Sequence, residues 1–173
     1  MSSSNHALIF GASGVSGWGT MIQALSYPTP TTFGSVTGIT NRPLKKDDAL
    51  LPDDERIMLV SGVNLSLTSE AVINALKANV PHINNITHVF FCAYIHSPDR
   101  ETLSVANTPI IENALAALKH LCPNLKHFVL QTGGSVRHLI IRLAQKKNKV
   151  KNTLADLRNT LRRSISTTTI QRV

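Results

Sequence analysis

Short apolar runs alternate along this chain with longer segments in which apolar residues recur every three or four positions, so strand and helix are expected in turn. Strands are expected at residues 7–10, 35–42, 56–63, 87–93 and 127–131, and a helix at residues 15–25. After Ser66, a candidate N-cap, Val72, Ile73 and Leu76 fall on one face of a second helix. Asp99 opens a long third helix with an apolar stripe of Leu103, Ile110, Ile111, Ala114, Leu115 and Leu118, and Pro123 marks its end. Strands that are apolar on both faces need cover on both, and helical crossovers make neighbouring strands parallel. The expected architecture is therefore α/β, a doubly wound parallel sheet of about five strands with its ligand beyond the strand carboxyl ends.

The loop after the first strand reads Gly11-Ala-Ser-Gly-Val-Ser-Gly17. Gly11 would let the chain turn sharply, Gly14 would let backbone approach a phosphate without a Cβ, and Gly17 would let the new helix pack close to the strand. Ser13, Val15 and Ser16 complete this candidate pyrophosphate loop, whose helical N–H groups would face the anion. Glycines at this spacing also build plain tight turns. At the end of the second strand, Asn41 and Arg42 stand where a ribose would lie. An acidic residue there would bind the 2′-hydroxyl of NAD. Arg42 suits a 2′-phosphate instead, and so NADP, with Lys45 and Lys46 adding positive field; the alternative is a solvent-facing loop arginine.

At 173 residues and 42% hydrophobic, the chain is long enough for one globular domain with a sizeable core. No apolar run is long enough to span a membrane, and no basic region precedes the first one. The expected location is cytoplasmic, with Cys92 and Cys122 as reduced thiols. The net charge of +8 would suggest nucleic acid if it were spread evenly. Residues 1–134 hold 8 Lys and Arg against 9 Asp and Glu, whereas residues 135–173 hold 10 against the single Asp156. The body is near neutral and the tail is basic, so neither nucleic acid nor a membrane is an expected partner of the body. The histidines follow no ligand spacing, so no metal is expected and surface or capping roles are assigned to them. Asp47, Asp48, Asp53, Asp54 and Glu55 read as a solvated loop cluster, and Trp18 as a packing residue.

Four segments carry a family likeness: the glycine loop, Gly38-Ile-Thr-Asn-Arg-Pro43, Thr87-His-Val-Phe-Phe-Cys-Ala-Tyr94 and Cys122-Pro-Asn-Leu-Lys-His-Phe-Val-Leu-Gln-Thr-Gly133. Together they resemble the atypical short-chain dehydrogenase/reductases that include plant progesterone 5β-reductase and iridoid synthase, together with similar fungal proteins. The resemblance implies a Rossmann-type cofactor domain over residues 1–134 and puts Asn41 and Arg42 near the adenosine 2′-phosphate. It puts Asn64 and Leu65 where an Asp-Leu pair usually borders the adenine. Ala93 and Tyr94 would flank the cofactor, although Tyr94 equally suits packing, and Gln131 and Thr132 would lie beside the nicotinamide ribose. The implied activity is NADP-dependent reduction of an enone or carbonyl in a small terpenoid, steroid or polyketide-like substrate, in fungal secondary metabolism.

This likeness is expected to stop at Gly134. The family's lysine, which follows the Thr-Gly pair, is replaced by Ser135-Val136-Arg137, and the only tyrosines are Tyr27 and Tyr94. No catalytic residue is assigned, and the chain alone is expected to bind cofactor weakly and turn over nothing. Residues 135–173 read as a truncating change: a shifted frame, a retained intron or a premature stop. In favour of a frame change, Ile165-Ser-Thr-Thr-Thr-Ile170 can be encoded so that the same bases, read two positions later, give Phe-Tyr-Tyr-Asn-Asn. A different reading takes Val136, Ile140, Leu143, Val150, Leu154, Leu157 and Leu161 as the stripe of a basic amphipathic helix. The chain would then be a non-catalytic nucleotide-binding pseudoenzyme or a partner- or membrane-binding protein. A helix covering the sheet, or plain disorder, remains the blander alternative for this tail.

Overall fold

The computed structural model describes residues 4–131. The expectations for Thr132 and for residues 135–173 lie outside them. Five parallel strands, β1 (Asn5–Phe10), β2 (Phe33–Ile39), β3 (Ile57–Val60), β4 (His88–Phe91) and β5 (His127–Leu130), form one sheet in the order β3-β2-β1-β4-β5. The helices are α1 (Val15–Ala24), α2 (Ser69–Asn79) and α3 (Arg100–Leu121). After β1 the chain winds outward through β2 and β3, then crosses to the other side of β1 for β4 and β5. The strand order therefore reverses at β1, the position where an open α/β sheet leaves a crevice at its carboxyl edge.

Strand β1 is buried on both faces, which is why its sequence shows no polar alternation. Ala7 and Ile9 join Met21 and Ala24 of α1, Val36 and Phe33 in one core cluster. Leu8 and Phe10, also wholly buried, project to the opposite face. There Phe10 lies 5.6 Å from the ring of its register partner Phe91. Each such fully buried side chain contributes about 1.5–3 kcal/mol. Helices α2 and α3 pack on each other, with Val72, Leu76, Ala114 and Leu118 buried. Gly38 brings α1 close to β2, since a Cβ there would lie 2.5 Å from Met21 Sδ and 2.7 Å from Ala12 Cβ.

Several local expectations need correction. Helix α2 is capped by Thr68, whose side chain accepts the Ala71 N–H at 3.3 Å; Ser66 lies too early, and its own N–H is bound by Asn64. The second strand ends at Ile39 and the third spans only Ile57–Val60, because the chain bends away at Thr40 and at Gly62, which has φ +85°. The acidic loop is more than a solvated cluster. Asp54 grips the Arg56 guanidinium (2.7 Å to Oδ2), while the same guanidinium donates to the carbonyls of Leu25, Pro30 and Phe33. This arginine ties the end of α1 and the start of β2 to β3, and its side-chain and backbone hydrogen bonds, with its charge adding to them, hold the Asp54 carboxyl down at about 2. Surface and capping roles do not describe all the histidines. His88 and His127, opposite each other on β4 and β5, stack with ring centroids 4.7 Å apart, and the edge of the Phe33 ring lies 5.1 Å from His88.

Candidate functional site

A cleft of about 450 Å³ opens where the carboxyl ends of β1, β2, β3 and β4 converge. Gly11, Ser13, Asn41, Arg42, Asn64, Leu65, Ala93 and Tyr94 all line it, joining residues from four loops. Gly14, Val15, Ser16 and Gly17 begin α1 beside it without lining it. Gln131 is exposed just beyond β5 and outside the lining, with its N–H donated to the Phe91 carbonyl at 3.0 Å.

The three loop glycines are needed for different reasons. Gly11 has φ +80°, and a Cβ there would lie 2.6 Å from the Ala93 backbone nitrogen, so both its conformation and the approach of β4 demand glycine. A Cβ on Gly17 would overlap the Gly11 carbonyl oxygen. Gly14 is different: its φ of −87° and ψ of 160° suit any residue, and a Cβ would meet only the Gly11 oxygen at an ordinary 3.5 Å. The polypeptide itself does not require a glycine at this exposed helix N-cap. No side chain caps α1, and its first intrahelical bond runs from the Trp18 N–H to the Gly14 carbonyl at 2.8 Å. The N–H groups of Val15, Ser16 and Gly17 therefore precede the helical ladder and face the loop mouth.

Beyond β2, Thr40 is 2% exposed and anchors the turn: its Oγ1 donates to the Arg42 carbonyl (2.8 Å) and shares a hydrogen bond with Ser61 Oγ (3.0 Å). Ser61 Oγ also accepts the Leu44 N–H (3.1 Å). The Arg42 backbone is thus held at the rim while its guanidinium has no protein acceptor among the described residues. Lys46 is not available to the cleft as expected, because its ammonium is held by Asp53 (3.3 Å) and the Asp54 carbonyl (3.2 Å). Trp18 does more than pack: its indole N–H donates to the Ala49 carbonyl (2.8 Å), tying α1 to this loop.

Two asparagines of α3 hold the other walls, and neither was singled out from the sequence. Asn107, 5% exposed, binds both backbone groups of Ile95. Asn113 donates to the carbonyls of Leu65 (2.9 Å) and Leu67 (2.5 Å) and accepts from Ser69 Oγ (2.8 Å). Asn107 was detectable as an amide set into the apolar stripe between Leu103 and Ile110. Asn113 left no such signal. Ile95, His96, Val63, Ser66 and Ile110 also line the cleft and were not foreseen. Cys92, half-buried at the end of β4, has its thiol pKa raised by burial, and burial pushes Cys122 up to about 12, so both are poor nucleophiles. Among the described residues there is no group of three side chains able to hold a metal, and no helix long and apolar enough to cross a membrane.

Comparison with known proteins agrees with this fold. Residues 7–166 match the family model of the PRISE-like Rossmann-fold domain, a match that runs past Gly134, where the likeness was expected to stop. The chain is 41% identical over 131 residues to the short chain dehydrogenase ausT of Aspergillus calidoustus, covering 73% of this chain and 32% of that protein. It is 35% identical over 131 residues to the short chain dehydrogenase sirQ of Leptosphaeria maculans, covering 75% and 33%. An (S)-8-oxocitronellyl enol synthase of Nepeta cataria is 30% identical over 127 residues, covering 73% and 30%. The chain thus spans about a third of the length of the curated relatives it matches. Among solved structures, a short chain dehydrogenase/reductase of Saccharomyces cerevisiae superposes with TM-score 0.61 at 15% identity, covering 91% of this chain and 67% of that one. A short-chain dehydrogenase/reductase of Veillonella parvula in complex with NADP superposes with TM-score 0.50 at 16% identity, covering 92% and 64%.

Proposed function

Because this chain belongs to the PRISE-like Rossmann-fold domain family, we propose that its cleft is the cofactor site of a reductase and takes NADP in preference to NAD. The observation that carries the reading is Gly14. The fold has no use for a glycine there, whereas a pyrophosphate lying across the helix N-terminus does, because a Cβ would occupy the space the phosphate needs. The three N–H groups at the start of α1 would hold that anion. Along the sheet edge, the next loop offers Asn41 and Arg42 for the adenosine ribose, and the free guanidinium would form paired bonds with a 2′-phosphate. The apolar slot formed by Val63, Leu65 and Ile110 then suits the base. On the opposite side, Ala93, Tyr94 and Ile95 form the wall toward which the nicotinamide would extend, and Asn107 keeps that wall in position. When bound, such a cofactor supplies hydride to an electrophilic carbon.

The substrate class that fits this family reading is an enone or carbonyl compound of terpenoid, steroid or polyketide type. The lysine and tyrosine that the family resemblance implies are absent from the sequence at the expected places, so the 173-residue chain by itself is proposed to bind without turnover. Titration of the purified chain with NADPH and NADH, followed by nicotinamide fluorescence, tests the reading. Tighter binding of NADPH, lost by about tenfold or more in Arg42→Ala, is expected from the removal of a charged hydrogen-bonding partner. Equal affinity for the two nucleotides, unchanged by the substitution, would overturn the NADP preference. Failure of a folded chain to bind either would overturn the cofactor site itself.

A further inference from the structure

Three hydroxyl side chains of this sequence stand directly before a proline: Thr29, Ser97 and Thr108. Their surroundings differ. Thr108 lies inside α3, where the chain is already coiled. Thr29 Oγ1 belongs to a cluster with the hydroxyls of Thr31 (3.3 Å) and Thr32 (2.9 Å), and Thr32 Oγ1 also accepts the Thr29 N–H (3.2 Å). Ser97 stands in the segment between β4 and α3, outside helix and strand, with Ile95, His96, Pro98 and Asp99 all exposed around it. Pro98 disfavours the helical region for the serine before it, which keeps that backbone extended. The Ser97 hydroxyl oxygen accepts the Asp99 N–H at a long 3.3 Å. Ser97 alone of the three has a basic residue three positions on, Arg100; Thr29 has Thr32 there and Thr108 has Ile111.

A serine in extended chain, followed by a residue with no N–H and two positions later by a cation, is what a proline-directed serine/threonine kinase accepts. We propose that Ser97 is a phosphorylation site for a kinase of this class, and that the phosphate lowers the affinity of the neighbouring cleft for its dinucleotide. In the transfer, Ser97 Oγ bonds to the γ-phosphorus of ATP as the bond from that phosphorus to the β-phosphate oxygen breaks; ADP leaves, and the hydroxyl proton passes to the kinase's base. The product carries about −1.5 to −2 charges at pH 7. His96, one residue earlier, lines the cleft, where Arg42 is the charged residue and no carboxylate is present. The new charge thus enters one residue, about 3.8 Å along the chain, from a wall of the cleft, inside the screening length of about 8–10 Å. It repels an anionic ligand there. In the other direction stands Asp99, whose carboxylate caps α3 by accepting the Thr102 N–H and hydroxyl, both at 2.7 Å. Like charges two residues apart disfavour that cap, and with it the segment that Asn107 fixes through Ile95. The effect on affinity rests on the dinucleotide reading above; the modification site does not.

The test treats the 173-residue chain, Ser97→Ala and Pro98→Ala with a purified cyclin-dependent kinase and ATP, locates the phosphate by peptide mass mapping, and measures the NADPH dissociation constant by nicotinamide fluorescence before and after treatment. Phosphate is expected on Ser97 of the parent chain, with much less incorporation in Pro98→Ala, which keeps the hydroxyl. The phosphorylated parent is expected to bind NADPH about three- to tenfold more weakly at low salt, and the difference is expected to shrink at about 0.5 M salt as the charge is screened. Kinase-treated Ser97→Ala is expected to keep the affinity of the untreated parent. Phosphate on other residues with Ser97 unmodified would overturn the site, and equal incorporation in Pro98→Ala would overturn the kinase class. Phosphate on Ser97 that leaves NADPH affinity unchanged would overturn the effect on the cleft. Failure of the untreated chain to bind NADPH would overturn the dinucleotide reading together with that effect, while the mapping still decides the modification site.

Discussion

Asn107 holds Ile95 by both ends of its amide: Oδ1 accepts the Ile95 N–H at 2.8 Å and Nδ2 donates to the Ile95 carbonyl at 2.8 Å, with a further bond to the Leu103 carbonyl at 2.9 Å. One buried helical side chain thereby does for the segment after β4 what a strand neighbour would do, and that segment forms a wall of the cleft. Replacement by leucine, similar in size, removes all three bonds and exposes an apolar group to two backbone dipoles. Asn107→Leu is expected to cost about 1–3 kcal/mol in urea denaturation. It should also weaken nucleotide binding, because Tyr94 and Ile95 lose their fixed position. Unchanged stability in the variant would mean that water replaces the amide without loss.

The glycine loop separates folding from binding at two residues three positions apart. Gly14→Ser gives α1 a favoured capping side chain at its exposed start, so stability is expected to rise by a few tenths to about 1 kcal/mol. The same side chain would obstruct the anion, and NADPH affinity is expected to fall at least about tenfold. Gly17→Ala should do the opposite damage: its Cβ would run into the Gly11 carbonyl, at a cost of about 3 kcal/mol or more. Denaturation curves and nucleotide titrations of the two variants check the contrast. A Gly14→Ser protein that bound nucleotide normally would remove the main support for the site.

Acid should weaken the base of the sheet through His88. Burial, then the charges of His127 and Lys126, pull its pKa from 6.5 down to about 4. The neutral ring also accepts or donates within 2.8 Å of Thr87 Oγ1. Because the folded-state value is the lower one, the unfolded chain binds the proton first. The stability present above about 6.5 is therefore expected to decline as pH falls toward 4, with no further loss from this group below that. Asp54, held down at about 2 by Arg56, adds a second decline that begins only near its ordinary value of 3.8. Urea midpoints between pH 7 and pH 4 for the parent chain and His88→Phe measure the first effect; parallel curves for the two would contradict it.

The periodic pattern was sufficient to order the elements because burial at a sheet centre leaves a strong trace. β1 is apolar at every position from Ala7 to Phe10, since both of its faces are covered, and the stripe of α3 returns at Ile110, Ala114 and Leu118, all buried. Boundaries were less legible where pairing partners set them. Ser66 and Thr68 are both good capping residues, and only the start of α2 at Ser69, with the Asn64 side chain taking the Ser66 N–H, decides between them. The expected cleft residues at the ends of β1 to β4 came together because parallel strands all bring their carboxyl ends to one edge. Lys46 was misjudged for an equally physical reason: its ammonium is drawn to Asp53 and Asp54, residues whose proximity depends on how the loop before β3 folds back.

By itself, then, the sequence determined the alternation of strand and helix, the parallel doubly wound class and the loop that opens the site, because hydrophobic period and glycine spacing are local properties of a chain. Only the tertiary structure decided which groups remain available inside the cleft. That Gly14 is unneeded by the fold, that Lys46 is engaged and that Asn107 and Asn113 hold opposite walls all follow from hydrogen bonds and close contacts. Several of those join residues dozens of positions apart. A polar atom's chemistry is set by what already satisfies it, and that is a property of the packed molecule.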